Sequence, residues 1–315
     1  MKIVVLDGFA VNPGDLSWDF LQVFGDVEVY DNSSSQEVRP RLRDADVVLS
    51  NRAPIDRETI AAAPRLRLIQ TLGTGFDMID LAAAKEHGVQ VCNVPGYAAD
   101  AVAQHVFALL LALTSNVQAF DAQAHAGQWS GLGGFDYRAV PMTGLAGKTM
   151  GIVGFGAIGQ KVAQIAQAFG MQVCVHTRSA VAQDGVKLVS FPELLACSDA
   201  VSLHCPLNAQ TRGLMDANAF SAMKRTAYLI NTARGALVDE RALADALNRG
   251  EIAGAGLDVL CNEPPDPNGV LFHAKNCLIT PHVAWASVDA RRMLLSIVEE
   301  NVRAFLAGTP IRTIE

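Results

Sequence analysis

The chain has 315 residues, half of them apolar, and a formal net charge of −7 with no long acidic or basic run. That length exceeds the usual single domain, so two domains are expected, and the apolar content excludes a disordered chain. The charge pattern offers no footprint for nucleic acid or an anionic membrane, which points to small molecules or other protein chains as partners.

The start, "MKIVVLDGFA", has one lysine and four consecutive apolar residues before Asp7, too few for the apolar region of an export signal. The longest obvious apolar run, Val106 to Leu113, is eight residues and too short to span a bilayer. A cytoplasmic location without membrane attachment is therefore expected. Cys92, Cys174, Cys197, Cys205, Cys261 and Cys277 are dispersed with no C-x-x-C pair, which suits reduced thiols and no metal site.

The first hundred residues carry short β-rich runs at 2–7, 27–30, 46–50, 66–72 and 89–93, with helical composition between them at Asp56 to Ala63 and Leu81 to Glu86. This alternation predicts an α/β unit on a parallel sheet. Residues 100–120 predict one long, largely buried helix, and 127–148, rich in Gly and Pro, an extended connection or arm. A second βα series follows, with strands expected at 149–156, 172–177, 199–206, 227–231, 253–259 and 277–281, and a last helix from Val288 to Leu306. No repeat at a fixed period of 20 to 50 residues is present.

The second series opens with "GFGAIG", Gly154 to Gly159, directly after the apolar run "MGIV" and before "QKVAQIAQAFG". In this strand–turn–helix context the motif predicts dinucleotide binding. Gly154 permits the tight turn, Gly156 the approach of a pyrophosphate, and Gly159 the packing of helix on strand. The N–H groups of Ala157 and Ile158 and the positive end of the helix then face the phosphates.

The next strand ends at "VHTRS", where sites for NAD carry an acid toward the ribose hydroxyls. No acid appears before Asp184. A 2′-phosphate is repelled by a carboxylate and bound by a guanidinium, so Arg178, helped by the hydroxyls of Thr177 and Ser179, predicts a preference for NADP(H), with NAD(H) possible.

Arg234 in "INTARGALVDE", Glu263 in "LDVLCNEPP" and His282 in "LITPHVAWAS" stand at strand ends or in loops. With "LGTGFDMIDLAAAKEHGVQVCNVPGYAADAVAQHVFALLLAL" (72–113), "LHCPLNAQTRGLM" (203–215) and "GAGLDVLCNEP" (254–264), they make the sequence resemble the D-isomer-specific 2-hydroxyacid dehydrogenases over essentially its whole length.

The resemblance implies a two-domain α/β protein. A Rossmann-type dinucleotide-binding domain is expected over 100–285, with a discontinuous, flavodoxin-like substrate domain formed by 1–99 and 286–315. It implies that Arg234 binds a 2-keto acid and polarises its carbonyl, a task suited to a planar guanidinium. His282 is then the acid/base and Glu263 its orienting anion. By the same carry-over, the loop of Gly73, Thr74 and Gly75 forms an N–H nest for the substrate carboxylate. Asp258 contacts the nicotinamide end, while Pro206 and Ala233 line the cofactor site.

"NVPGYAADAVAQHVFALLLAL" and "TPHVAWAS" resemble the glycerate dehydrogenase or hydroxypyruvate (glyoxylate) reductase branch, which implies a small polar 2-keto acid and a homodimer. Gln104 departs from the glutamate of many relatives, and Thr177 from the aspartate of NAD-dependent ones. Two alternatives stand beside this reading: a phosphoglycerate-type dehydrogenase, and a non-catalytic dinucleotide-sensing corepressor.

Overall fold

A computed structural model gives the structure of the protein, describing residues 1–129, 141–178 and 183–314. Backbone packing divides the chain into two units, Met1–Ala98 with Ala286–Glu315 and Ala99–Trp285.

The first unit opens with strands β1 (Lys2–Val5) and β2 (Asp26–Val29), then α1 (Ser35–Leu42), β3 (Val47–Ser50), α2 (Arg57–Ala61), β4 (Leu68–Thr71), α3 (Leu81–Glu86) and β5 (Gln90–Cys92). The second contains α4 (Ala99–Ser115), α5 (Val117–His125), β6 (Thr149–Val153), α6 (Ala157–Ala168), β7 (Gln172–His176), β8 (Val186–Leu188), α7 (Phe191–Cys197) and β9 (Ala200–Leu203). It continues with α8 (Ala217–Ala222), β10 (Tyr228–Asn231), α9 (Glu240–Arg249), β11 (Gly254–Leu257) and β12 (Cys277–Ile279). The chain then returns to the first unit as α10 (Val288–Leu306) and β13 (Thr313–Ile314).

The first sheet runs β13-β5-β4-β3-β1-β2. Without the short antiparallel β13, which pairs Thr313 with Cys92, it has the flavodoxin-like order with every neighbour parallel. Val4, Leu6, Val48 and Ile69 project into a core closed by Val38 and Leu42 of α1, Ile60 of α2 and Ala83 of α3. Burying each such aliphatic side chain contributes roughly 1.5–3 kcal/mol.

The second sheet runs β12-β11-β10-β9-β6-β7-β8, all parallel. The chain starts in the middle at β6, builds outward to β8, then crosses back to β9 and builds the other way. This is the Rossmann-type winding, and its order reverses between β6 and β9. Strand alternation splits the core in two. Met150 and Ile152 of β6 face α4 and α6, whereas Val153 joins the cluster under α7, α8 and α9.

Capping sets most helix starts: Asp56, Asp80, Ser190, Asp216, Asp239 and Ser287 each accept a backbone N–H from the first turn that follows them. The helix expected over 100–120 is divided. Asn116 takes a left-handed conformation (φ 51°), ending α4 and starting α5, and its amide donates to the Pro141 carbonyl. The central part of the expected arm, 130–140, lies outside the described residues, as does Ser179. No single helix among the described residues is long and apolar enough to cross a membrane.

Candidate active site

Parallel strands bring their carboxyl ends to one edge, so a ligand site of the second sheet is assembled from the loops there. In spatial order, β12 leads to His282, β11 to Asp258 and Glu263, β10 to Ala233 and Arg234, β9 to Pro206, β6 to the glycine motif, and β7 to Thr177 and Arg178. The candidate cofactor and catalytic residues of this unit, Ser179 apart, therefore lie along that edge.

At the reversal point, Gly154 adopts φ 91°, and a Cβ on it would stand 2.6 Å from the Cys205 nitrogen, so β6 can pass this close to the end of β9 only as glycine. A Cβ on Gly159 would collide with the Gly154 carbonyl oxygen. A Cβ on Gly156, in contrast, would meet no atom of the described residues within 4 Å. Helix α6 begins there with no side-chain cap and no acid in its first turn. The N–H groups of Ala157 and Ile158 thus lie at an open, positively polarised end, and the cradle fits a pyrophosphate.

Beyond it, Thr177 is half-buried and Arg178 exposed at the end of β7. On the other side, Thr232 Oγ1 is buried without a hydrogen-bond partner among the described residues. It adjoins Ala233, and sequence reading missed it because burial decides its interest.

The buried Asn231 fixes the turn that carries Arg234. Its amide nitrogen donates to the Arg234 carbonyl at 2.9 Å, and its oxygen accepts from Ala233 N at 3.0 Å. Arg234 is half-buried, with Nη1 donating to the Ala233 carbonyl at 2.9 Å. A Cβ on Gly235 would overlap the Leu260 carbonyl, so this turn lies directly against the backbone leading to Glu263. That segment is pinned twice. Leu260 N donates to Glu263 Oε1 at 3.2 Å, and Cys261 N to Glu240 Oε1 at 2.7 Å.

Glu263 Oε2 lies 2.6 Å from Nδ1 of His282. A carboxylate only accepts, so Nδ1 carries the hydrogen and Nε2 is left for proton exchange. Asp258, 1% exposed, accepts Val283 N and Ala284 N at 2.9 Å and the Thr280 hydroxyl at 2.6 Å. Its carboxylate holds the loop that carries His282.

Burial pushes the thiols of Cys92, Cys174 and Cys261 up to about 11 and that of Cys277 up to about 12, so all four are protonated at neutral pH. Among the described residues, no three His, Cys, Asp or Glu side chains group as metal ligands.

In the first unit, Gly73, Thr74 and Gly75 follow β4. The first two carbonyls are tied inward: Thr71 Oγ1 and Val94 N donate to Gly73 O, and Asn93 Nδ2 donates to Thr74 O. Among the described residues, no backbone carbonyl accepts from the N–H groups of Thr74 or Gly75, the arrangement an anion nest needs.

A doubly wound sheet with a glycine-lined helix start at its reversal point and an imidazole–carboxylate pair along the same edge defines a dinucleotide-dependent oxidoreductase. Residues 107–284 match the family described as D-isomer specific 2-hydroxyacid dehydrogenase, NAD binding domain. Hydroxypyruvate reductase of Blautia hydrogenotrophica is 40% identical over 100% of this chain and 99% of its own. Glycerate dehydrogenase of Methylorubrum extorquens is 38% identical with the same coverage. Among solved structures, an acyclic imino acid reductase in complex with NADPH and D-Arg superposes with a TM-score of 0.89 at 35% identity, covering both chains fully. The chain belongs to the D-isomer-specific 2-hydroxyacid dehydrogenase family and is a nicotinamide-dinucleotide-dependent oxidoreductase acting on CH–OH groups.

Proposed function

We propose that this enzyme reduces small, polar 2-keto acids such as hydroxypyruvate and glyoxylate to the corresponding D-2-hydroxy acids, preferring NADPH. The observation that carries the reading is the 2.6 Å pair of His282 and Glu263 on the sheet edge that also presents the glycine cradle. The dinucleotide supplies the hydride when bound.

The chain supplies the rest. Gly154, Gly156, Ala157, Ile158 and Gly159 hold the pyrophosphate, Pro206 and Ala233 flank the cofactor, and Asp258 sets the loop toward the nicotinamide end. Arg234 binds the keto acid and polarises its carbonyl, and the nest at Gly73, Thr74 and Gly75 binds the carboxylate. His282, protonated and oriented by Glu263, gives the Nε2 proton to the carbonyl oxygen as negative charge develops there. In the reverse direction the neutral ring takes the proton back.

The NADPH preference is supported by Arg178 and Thr177 at the end of β7, after which the sequence carries no acid to repel a 2′-phosphate before Asp184. The relatives' names, hydroxypyruvate reductase and glycerate dehydrogenase, support the substrate class. Cytoplasmic action as a homodimer completes the proposal. Exposed Val117, Trp129 and Met142 in the second unit support self-association.

The test is kcat/KM for NADPH and NADH with saturating hydroxypyruvate and then glyoxylate, in the wild type and Arg178→Ala. Loss of charge-assisted bonds to the 2′-phosphate should cost NADPH roughly 10- to 100-fold and leave NADH within about twofold. Equal use of both cofactors by the wild type would sink the preference, and no turnover of either acid would sink the substrate class.

A further inference from the structure

Behind the acid/base pair runs a second chain of polar groups to which the proposed reaction gives no step. His282 has φ 56°, a left-handed conformation that a non-glycine residue keeps only when its surroundings enforce it. The enforcement comes from Asp258. Its carbonyl accepts His282 N at 2.8 Å, and its buried carboxylate gathers the Val283 and Ala284 N–H groups together with the Thr280 hydroxyl. His105 is a further polar neighbour of that carboxylate: its Nε2 lies 3.5 Å from Asp258 Oδ1 and 2.9 Å from Thr280 Oγ1.

The hydrogen positions follow from these contacts. The Thr280 hydroxyl has one hydrogen, and at 2.6 Å from an acceptor-only carboxylate it donates there. It can then only accept from His105, so Nε2 of His105 carries a hydrogen. The chain reads His105 Nε2–H to Thr280 O–H to Asp258, and Asp258 holds the backbone of His282.

Helix α4 gives His105 a fixed base. One turn on, Leu109 packs against β11 so closely that a Cβ on Gly256 would stand 2.9 Å from the Leu109 Cβ. The imidazole is thereby carried by a 17-residue helix seated on β10 and β11, next to a loop that supplies its own strained residue.

We propose that His105 is a positioning residue for His282, acting through Thr280 and Asp258. His105 bonds to Thr280 and lies beside Asp258, whereas the His282 ring is held by Glu263, so the effect of His105 is on where the acid/base stands. The proposal rests on His282 being the proton donor.

Three single variants and one double variant test it. Since displacing a catalytic group by about 1 Å costs up to about a hundredfold, His105→Ala should lower kcat roughly 10- to 100-fold while the Kd for NADPH stays within about twofold. His105→Gln keeps an N–H donor at comparable reach and should recover most of the rate. Thr280→Val breaks the same chain, so the double variant with His105→Ala should be no worse than either alone. Amide exchange at Val283 and Ala284 should quicken in His105→Ala. That readout needs no turnover, so a chain inactive toward every 2-keto acid would sink the proposed function while this measurement still decides the role of His105. Unchanged kcat and exchange in His105→Ala, or equal losses of kcat and NADPH affinity that glutamine does not rescue, would overturn the proposal.

Discussion

Nδ1 of His282 and Oε2 of Glu263 lie 2.6 Å apart although 19 positions separate them in the chain. The contact exists because β11 and β12 are parallel neighbours and both loops leave from the same edge of the sheet. Each half of the pair has its own consequence. His282→Ala removes the proposed proton donor, and kcat for reduction should fall by roughly 10²- to 10⁴-fold with cofactor binding retained. Glu263→Gln preserves an acceptor for Nδ1 but removes the orienting carboxylate, so the rate should fall less than in His282→Ala. Steady-state kinetics with NADPH fluorescence titration checks both, and full activity in His282→Ala would exclude it as the donor.

The proton's path makes the two reaction directions differ in pH. A proton donor must carry its proton in reduction and lack it in oxidation, so with His282 in the proposed role the reduction rate should fall as pH rises while the oxidation rate climbs. Single-turnover measurements isolate the chemical step. Parallel profiles in both directions would assign the proton transfer to another group.

Two glycines of one motif should fail in different ways. Gly156→Ala meets open space at φ −80°, so the melting temperature should hold while NADPH binding weakens, because the methyl occupies the pyrophosphate cradle. Gly159→Ala drives a methyl into the Gly154 carbonyl and should destabilise the fold by about 1–3 kcal/mol. Thermal melts with and without NADPH separate the two. A stable Gly159→Ala protein would show that α6 can move away from β6.

Acid should destabilise the protein through His204. Packing around its imidazole pushes it down from 6.5 to about 3, and Nε2 pairs with Ser202 Oγ at 2.8 Å. The folded chain keeps the ring neutral where the unfolded chain takes up a proton. The stabilisation is therefore complete above pH 6.5 and is lost as pH falls from there toward 3, by at most about 1.4 kcal/mol per unit. Urea midpoints between pH 7 and 4 should decline less steeply in His204→Asn than in the wild type. Identical slopes would mean that the ring protonates without unfolding the chain.

Local signals were strong enough for the sequence to determine much of this protein. "GFGAIG" between an apolar strand and a helix located the turn at the end of β6, because only glycine tolerates φ 91° where a Cβ would stand 2.6 Å from another backbone. The periodic run from Val288 to Leu306 marked α10 at its observed limits, and Arg234, Glu263 and His282 were readable from their motifs. The break at Asn116 was not, since the alternation of apolar residues continues through it and the left-handed turn answers to Pro141, 25 positions later.

Tertiary structure alone decided the strand order, and with it which loops become neighbours. His105 and Thr280 are 175 positions apart, and nothing in either segment announces the other. A period of 2 or 3.6 residues tells which face of an element seeks the core, but not which element it meets there. The contact that orients the acid/base loop appears only once α4 has settled on β11 and Asp258 has lost its water.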